Sequence, residues 1–297
     1  MGRAATGMPY RLGWILGFTV ASLATAQSHQ LRLTPLVHPP NTATGLLLKS
    51  SLNGGSQLRL LLDSGAEYLV IDRRAAKRSG IPDAGTDFDL IGAGTAIRRG
   101  QVTGAVSVTV GDLTLRDCPL MVVKGRVAEG IDGVIPLSLF DRYEIELDVP
   151  ARTLTLKPPA PASSHPDAVR ALLHHKLLFL QTRLQREVEG YLLLDTGSSF
   201  NVISDASADA LSQPRALATP VSLSAGVGAT TGRMLATGIP FHLGNQTLNL
   251  DRVIAIDLTE MSRRHGLNLA GVIGYPALVT SRLTIDYTRS LVHIETH

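Results

Sequence analysis

Two aspartates stand in nearly the same company, one in each half of the 297-residue chain. Leu60-Leu61-Leu62-Asp63-Ser64-Gly65-Ala66 recurs as Leu192-Leu193-Leu194-Asp195-Thr196-Gly197-Ser198. Each apolar run delivers a carboxylate into a hydroxyl-glycine turn, and a matched pair of carboxylates suits acid-base chemistry. Hydrolysis without a metal or a covalent nucleophile needs one group to take a proton from water and another to give one to the departing atom. Two carboxylates sharing one proton do both, because like charges about 3 Å apart do not both ionise and their titrations separate. Gly65 and Gly197 allow a tight turn and a close approach of backbone amides to each carboxylate.

The other reactive residue types form no competing centre. Nine histidines are present, but no His-Glu-x-x-His motif of the kind that holds a catalytic zinc. His174 and His175 are adjacent, so on a strand they are expected to face opposite sides and not to chelate together. No Gly-x-Ser-x-Gly elbow exists. Gly226-x-Gly228 lacks the strand-loop-helix setting of a dinucleotide loop. Cys118 is the only cysteine, which excludes an intrachain disulfide and cysteine-based metal sites and reads as a buried structural thiol. Neither a metal nor a cofactor is expected. Asp148 and Asp286 also recur, before Pro150-Ala151-Arg152 and Tyr287-Thr288-Arg289, where they suit turn formation.

The elements around the two aspartates repeat in register. After the first come Tyr68-Leu69-Val70-Ile71, Asp72 as a helix cap, a short Arg/Ala/Lys helix and Gly80 as its stop. After the second come Phe200-Asn201-Val202-Ile203, Ser204 as the cap and a short helix expected to reach about Ser212. Gly92-Ala93-Gly94 begins 29 residues past Asp63, and Gly226-Val227-Gly228 begins 31 past Asp195. Gly111 and Gly244 follow at 48 and 49, then Gly133-Val134-Ile135-Pro136 and Gly271-Val272-Ile273-Gly274 at 70 and 76. Asp148 and Asp286 each lie 15 residues further on. Six landmarks in one order, with nearly equal gaps, point to an internal duplication. Short β-branched or alternating runs separated by glycine turns, with little helix, predict an all-β barrel or sandwich in each half.

On these motifs the sequence resembles the aspartic proteases, the group containing pepsins and retroviral proteases. With short lobes and a glycine hairpin in each half, it looks most like two fused retropepsin-type subunits, as in exported bacterial proteins of that kind. The resemblance implies two β-barrel lobes related by a pseudo-twofold, with Asp63 and Asp195 catalytic in a cleft between them. It implies an aspartic endopeptidase acting on a polypeptide substrate. Ser64 and Thr196 are then hydrogen-bonded across the lobe interface, supporting the active-site loops together with Gly65 and Gly197. Gly92, Gly94, Gly226 and Gly228 become the tips of flaps that close on an extended substrate. One departure is Pro136, which stands where the second half has Gly274. Proline lacks an amide donor and cannot meet a positive-φ requirement, if one exists there. The alternative is a catalytically silent relative that uses its cleft as a peptide-binding module in the cell envelope.

Composition closes off other classes. Charged residues are 18% and aromatics 4% of the chain, against disorder and against base-stacking nucleic-acid binders. The 28 Lys+Arg exceed the 25 Asp+Glu by three, and Arg3 and Arg11 supply two of that excess. Both precede the apolar stretch Leu12–Ala21 and the small-x-small site Ala24-Thr25-Ala26, which reads as a signal peptide over 1–26. The expected product is exported, periplasmic or secreted, with a membrane-anchored N-terminus as the alternative and no span after cleavage. The remaining expected divisions are a short N-terminal segment 27–43, a lobe 44–157, a Pro-rich linker 158–173 and a lobe 174–297, acting as a monomer.

Overall fold

The computed structural model describes residues 27–296, except 39–41, 83–84, 92–96, 160–164, 185–187, 212–215, 226–227, 236–238 and 251–252. For 89–91, 97–98, 188, 216–225 and 228–230 it describes the backbone alone. The signal segment 1–26 therefore lies outside the described residues.

The fold is all-β with a few short helices. The first half holds β1 (His29–His38), β2 (Thr42–Leu52), β3 (Gln57–Asp63), β4 (Leu69–Asp72), β5 (Thr86–Ile91), β6 (Ile97–Val110), β7 (Leu113–Val123), β8 (Gly133–Pro136), β9 (Glu144–Asp148) and β10 (Thr153–Lys157). The second holds β11 (Val169–His174), β12 (Leu177–Leu184), β13 (Val188–Leu194), β14 (Asn201–Ser204), β15 (Ala216–Ala225), β16 (Gly228–Leu235), β17 (Ile239–Leu243), β18 (Gln246–Leu250), β19 (Val253–Ile256), β20 (Leu269–Ile273), β21 (Ser281–Asp286) and β22 (Leu291–Thr296). Thus residues 29–38, in the segment expected to precede the first lobe, supply a strand to it. Val169 begins another strand inside the expected linker.

The strand pairings of the halves match. β3 runs parallel to β8 and β13 parallel to β20; β4 is parallel to β7 and β14 to β19. β4 also pairs antiparallel with β8, as β14 does with β20. Gly133 and Gly271 occupy these crossings for one reason. A Cβ there would collide with the carbonyl oxygen of Val70 or of Val202.

A third sheet joins the halves in the order β1-β10-β9-β21-β22-β11, antiparallel throughout. At its centre Asp148 pairs with Arg282, Leu147 with Leu283, Glu146 with Thr284, Ile145 with Ile285 and Glu144 with Asp286. Exchanging the two halves maps this ladder onto itself, so it carries a local twofold. The turns flanking it are alike too: Asp148 Oδ1 accepts from Ala151 N (2.8 Å) and Asp286 Oδ1 from Arg289 N (2.9 Å). Both turns contain a non-glycine residue at φ 56°, Arg152 and Ser290. The turn role expected for the two aspartates accounts for these contacts.

Burial explains the apolar runs. In β3, Leu58, Leu60 and Leu62 face the main core, whereas Leu61 joins a satellite cluster with Leu47 and Val123 on the other face. The matching Leu193 packs with Phe179 and Ile254. A strand buried on both faces reads as a continuous apolar run rather than an alternation. Each such leucine stabilises the fold by roughly 1.5–3 kcal/mol.

The helices are short. Asp72 caps α1 (Arg73–Arg78) by accepting from Ala75 N at 2.8 Å, and Gly80 follows at φ 67°. Ser204 caps α2 (Asp205–Asp209) through Ser207 N at 3.0 Å. That helix ends before the expected Ser212, its C-cap already at Ala210. The longer α3 (Thr259–His265) ends on Gly266 in the left-handed region. Among the described residues no helix is long and apolar enough to cross a membrane.

Candidate functional site

Asp63 closes β3 and Asp195 follows β13, each at the end of a strand pinned between neighbours on both sides. The strand ends cannot shift without breaking two ladders, so the carboxylates start from a rigid base. The next two residues turn each chain back on itself. Gly65 N donates to Asp63 Oδ1 at 2.7 Å, and Gly197 N to Asp195 Oδ1 at 2.9 Å.

Four hydrogen bonds then lock one loop to the other. Ser64 N donates to Thr196 Oγ1 (3.0 Å), and Thr196 N donates to Ser64 Oγ (3.0 Å). Ser64 Oγ donates onward to Leu194 O (2.8 Å), and Thr196 Oγ1 to Leu62 O (2.9 Å). Each hydroxyl thus accepts from the opposite loop and donates to the strand beneath it. Both side chains are buried, and each satisfied donor and acceptor avoids a desolvation cost of about 1–3 kcal/mol.

The glycines also make room for the opposite carboxylate. A Cβ on Gly65 would lie 2.7 Å from Asp195 Oδ2, and one on Gly197 would lie 2.6 Å from Asp63 Oδ2. No side chain fits there, and the interdigitation brings Asp63 and Asp195 within hydrogen-bonding reach of each other. Both residues keep partial access to solvent, although protein surrounds the carboxyl groups closely. Burial pushes Asp63 well above the ordinary carboxylate range, aided by the Asp195 charge and their mutual hydrogen bond. Burial raises Asp195 too, against the lowering effect of the hydrogen bond from Asp63 and the loop amides. The two carboxyl groups therefore titrate as a pair rather than one by one. Such a pair can accept a proton from water and donate one to a carbonyl oxygen in the same event.

Of the other expected site residues, Ser64, Gly65, Thr196 and Gly197 meet at the pair. The hairpins β5–β6 and β15–β16 are present, with Ile91 opposite Ile97 and Ala225 opposite Gly228. Gly228 opens β16, while Gly92, Gly94 and Gly226 lie outside the described residues. Pro136 adopts φ −67°, and Gly274 adopts φ −93°. No positive φ is required at either position, so the feared conflict does not arise.

Histidine placement corrects one expectation. His174 ends β11 but His175 sits in the turn at φ 49°, and their rings lie 4.3 Å apart instead of on opposite faces. The left-handed turn rotates His175 onto the same side. His265 lies 5.5 Å from His174, and burial lowers its pKa to about 4. Among the described residues no group of three or more His, Cys, Asp or Glu is arranged to hold a metal ion. Cys118 is buried, and burial raises its thiol pKa.

Sequence reasoning missed Asn201, whose buried side chain accepts from Gly274 N at 3.1 Å behind the Asp195 loop. A signal existed: the matching positions, Leu69 and Pro136, both lack the group that would make this bond.

A family model described as aspartyl protease matches residues 48–139, from β2 past β8, including Asp63-Ser64-Gly65. The match supports protease activity in general and stops short of the second half. Comparison with curated proteins finds no match.

Proposed function

We propose that the chain is an aspartic endopeptidase in which Asp63 and Asp195 work as one acid-base unit on a water molecule. The observation that carries this reading is the reciprocal fit of the two loops, in which each glycine yields space to the opposite carboxylate. A binding module has no need to hold two like charges together at an energetic cost.

In this mechanism the ionised member of the pair takes a proton from water as its oxygen attacks the scissile carbonyl carbon. The protonated member donates to the carbonyl oxygen, giving a neutral tetrahedral diol. The diol collapses as a proton passes to the leaving nitrogen, and the pair returns to its single-proton state. The four cross-loop hydrogen bonds keep both carboxylates in reacting geometry, the preorganisation such a step requires. The substrate lies extended in a cleft between lobes 44–157 and 174–297, under the β5–β6 and β15–β16 hairpins as flaps.

The matching ladders and the twofold central sheet support an origin by duplication of a retropepsin-like unit. Export by the 1–26 signal peptide, with a mature chain from Gln27 acting as a monomer, completes the proposal.

The test is a broad peptide library at pH 3–7, with Asp63→Asn and Asp195→Asn beside the wild type. The proposal requires wild-type cleavage that both variants lose. Cleavage surviving in either variant rules out the pair, and a wild type that binds peptides but cuts none supports the silent module.

A further inference from the structure

The two halves brace equivalent loops in different ways. In the second half three consecutive residues are tied to the Asp195 loop. Asp195 N donates to Ile273 O (3.0 Å), Gly274 N to Asn201 Oδ1 (3.1 Å) and Tyr275 N to Ser198 O (2.9 Å). Asn201 is 1% exposed, so this amide bond is shielded from water. Gly274 has no room for a side chain, since a Cβ would collide with the Phe200 carbonyl oxygen.

In the first half the matching residues are Pro136 and Leu69, both buried. Proline has no N–H to give, and leucine has no oxygen to receive one. Donor and acceptor are absent together, so neither half leaves a polar group unmet at this contact. The first half instead has proline's fixed φ and a leucine packed in the main core.

We propose that Asn201 is a positioning residue for Asp195, acting through the Gly274 amide to hold Ile273-Gly274-Tyr275 against the Asp195 loop. This rests on the reading of the Asp63/Asp195 pair above. Asn201→Leu removes the acceptor, leaves the Gly274 N–H buried and unmet, and lets the loop shift. Asn201→Asp has the same shape and keeps an accepting oxygen in either protonation state, but places a negative charge in a buried site once it ionises as pH rises.

The experiment measures kcat and KM on a cleaved library peptide for wild type, Asn201→Leu and Asn201→Asp, with Asp63→Asn as control and Tm recorded for each. Asn201→Leu is expected to lose roughly 10–100-fold in kcat with KM within about twofold, the signature of a displaced reacting group in a folded protein. Asn201→Asp is expected to approach wild type near pH 4 and to lose kcat at lower pH values than wild type does on raising the pH. A folded Asn201→Leu with kcat within about twofold of wild type overturns the inference. Where Asn201→Leu does not fold, an Asn201→Asp profile that coincides with wild type overturns it. A second readout needs no activity: Leu69→Asn and Pro136→Gly should each lower Tm, and together by less than their sum, because they rebuild the missing bond. Strict additivity contradicts the paired exchange. A wild type that cleaves nothing, or an Asp63→Asn that still cleaves, sinks the catalytic reading and this inference with it. Active wild type, inactive Asp63→Asn and indifferent Asn201 variants sink the inference alone.

Discussion

At the scale of single residues, the two glycines beside the aspartates leave the space that each opposite carboxylate fills. Gly65→Ala or Gly197→Ala drives a methyl into the opposite carboxylate, so each should cost more activity than stability. We expect at least a 100-fold loss in kcat/KM for either, of the order that about 1 Å of misplacement costs, measured on one peptide at acidic pH. The sign of the pH effect on stability follows from the same pair. Both carboxyl groups have raised pKa values, so the folded state binds more protons than the unfolded one above the ordinary carboxylate pKa. This contribution favours folding at low pH and is lost as pH rises from there through the folded-state values. Asp63→Asn should therefore raise Tm relative to wild type at pH 7, with the gain vanishing near pH 3. An equal or lower Tm at pH 7 would contradict the burial of a strained charge pair. Both aspartates and their Ser/Thr-Gly neighbours were legible because the motif is local and occurs twice. Asn201 was missed, because its partner Gly274 lies 73 residues away and only a comparison of the two halves points to the bond.

At the scale of elements, the cross-loop bonds and the central ladder set the geometry. Ser64→Ala and Thr196→Ala each remove a hydroxyl that both accepts and donates. Each should lower stability by about 2–4 kcal/mol, because two buried partners lose their bonds. The double variant should cost clearly less than the sum, a coupling of roughly 1–2 kcal/mol readable by denaturant titration. Additive losses would mean that the hydroxyls act independently. Asp148→Ala removes both a turn acceptor and an ion pair with Arg282 (2.9 Å) at the central sheet. The helix caps Asp72 and Ser204 and the turn aspartates were readable from sequence, since capping and Asx turns act over three residues. The end of α2, the His175 turn and the strand at 29–38 were not. The first two depend on backbone conformations that the side chains do not specify, and the last forms a hairpin with β2 while its first half pairs with β10, over 100 residues distant.

At the scale of the whole molecule, two halves with matching ladders meet at a twofold sheet and interdigitate at the two loops that carry the carboxylates. On the reading proposed above, the shared proton is a property of the assembled molecule, which no half holds alone. The pH dependence of kcat/KM on one cleaved peptide tests this most directly, with the single and double Asp→Asn variants measured alongside. The account predicts an acidic bell for wild type, falling as the second proton leaves the pair, with each single variant inactive and the double variant little worse. Activity that rises through neutral pH, or that survives in Asp63→Asn or Asp195→Asn, would contradict it.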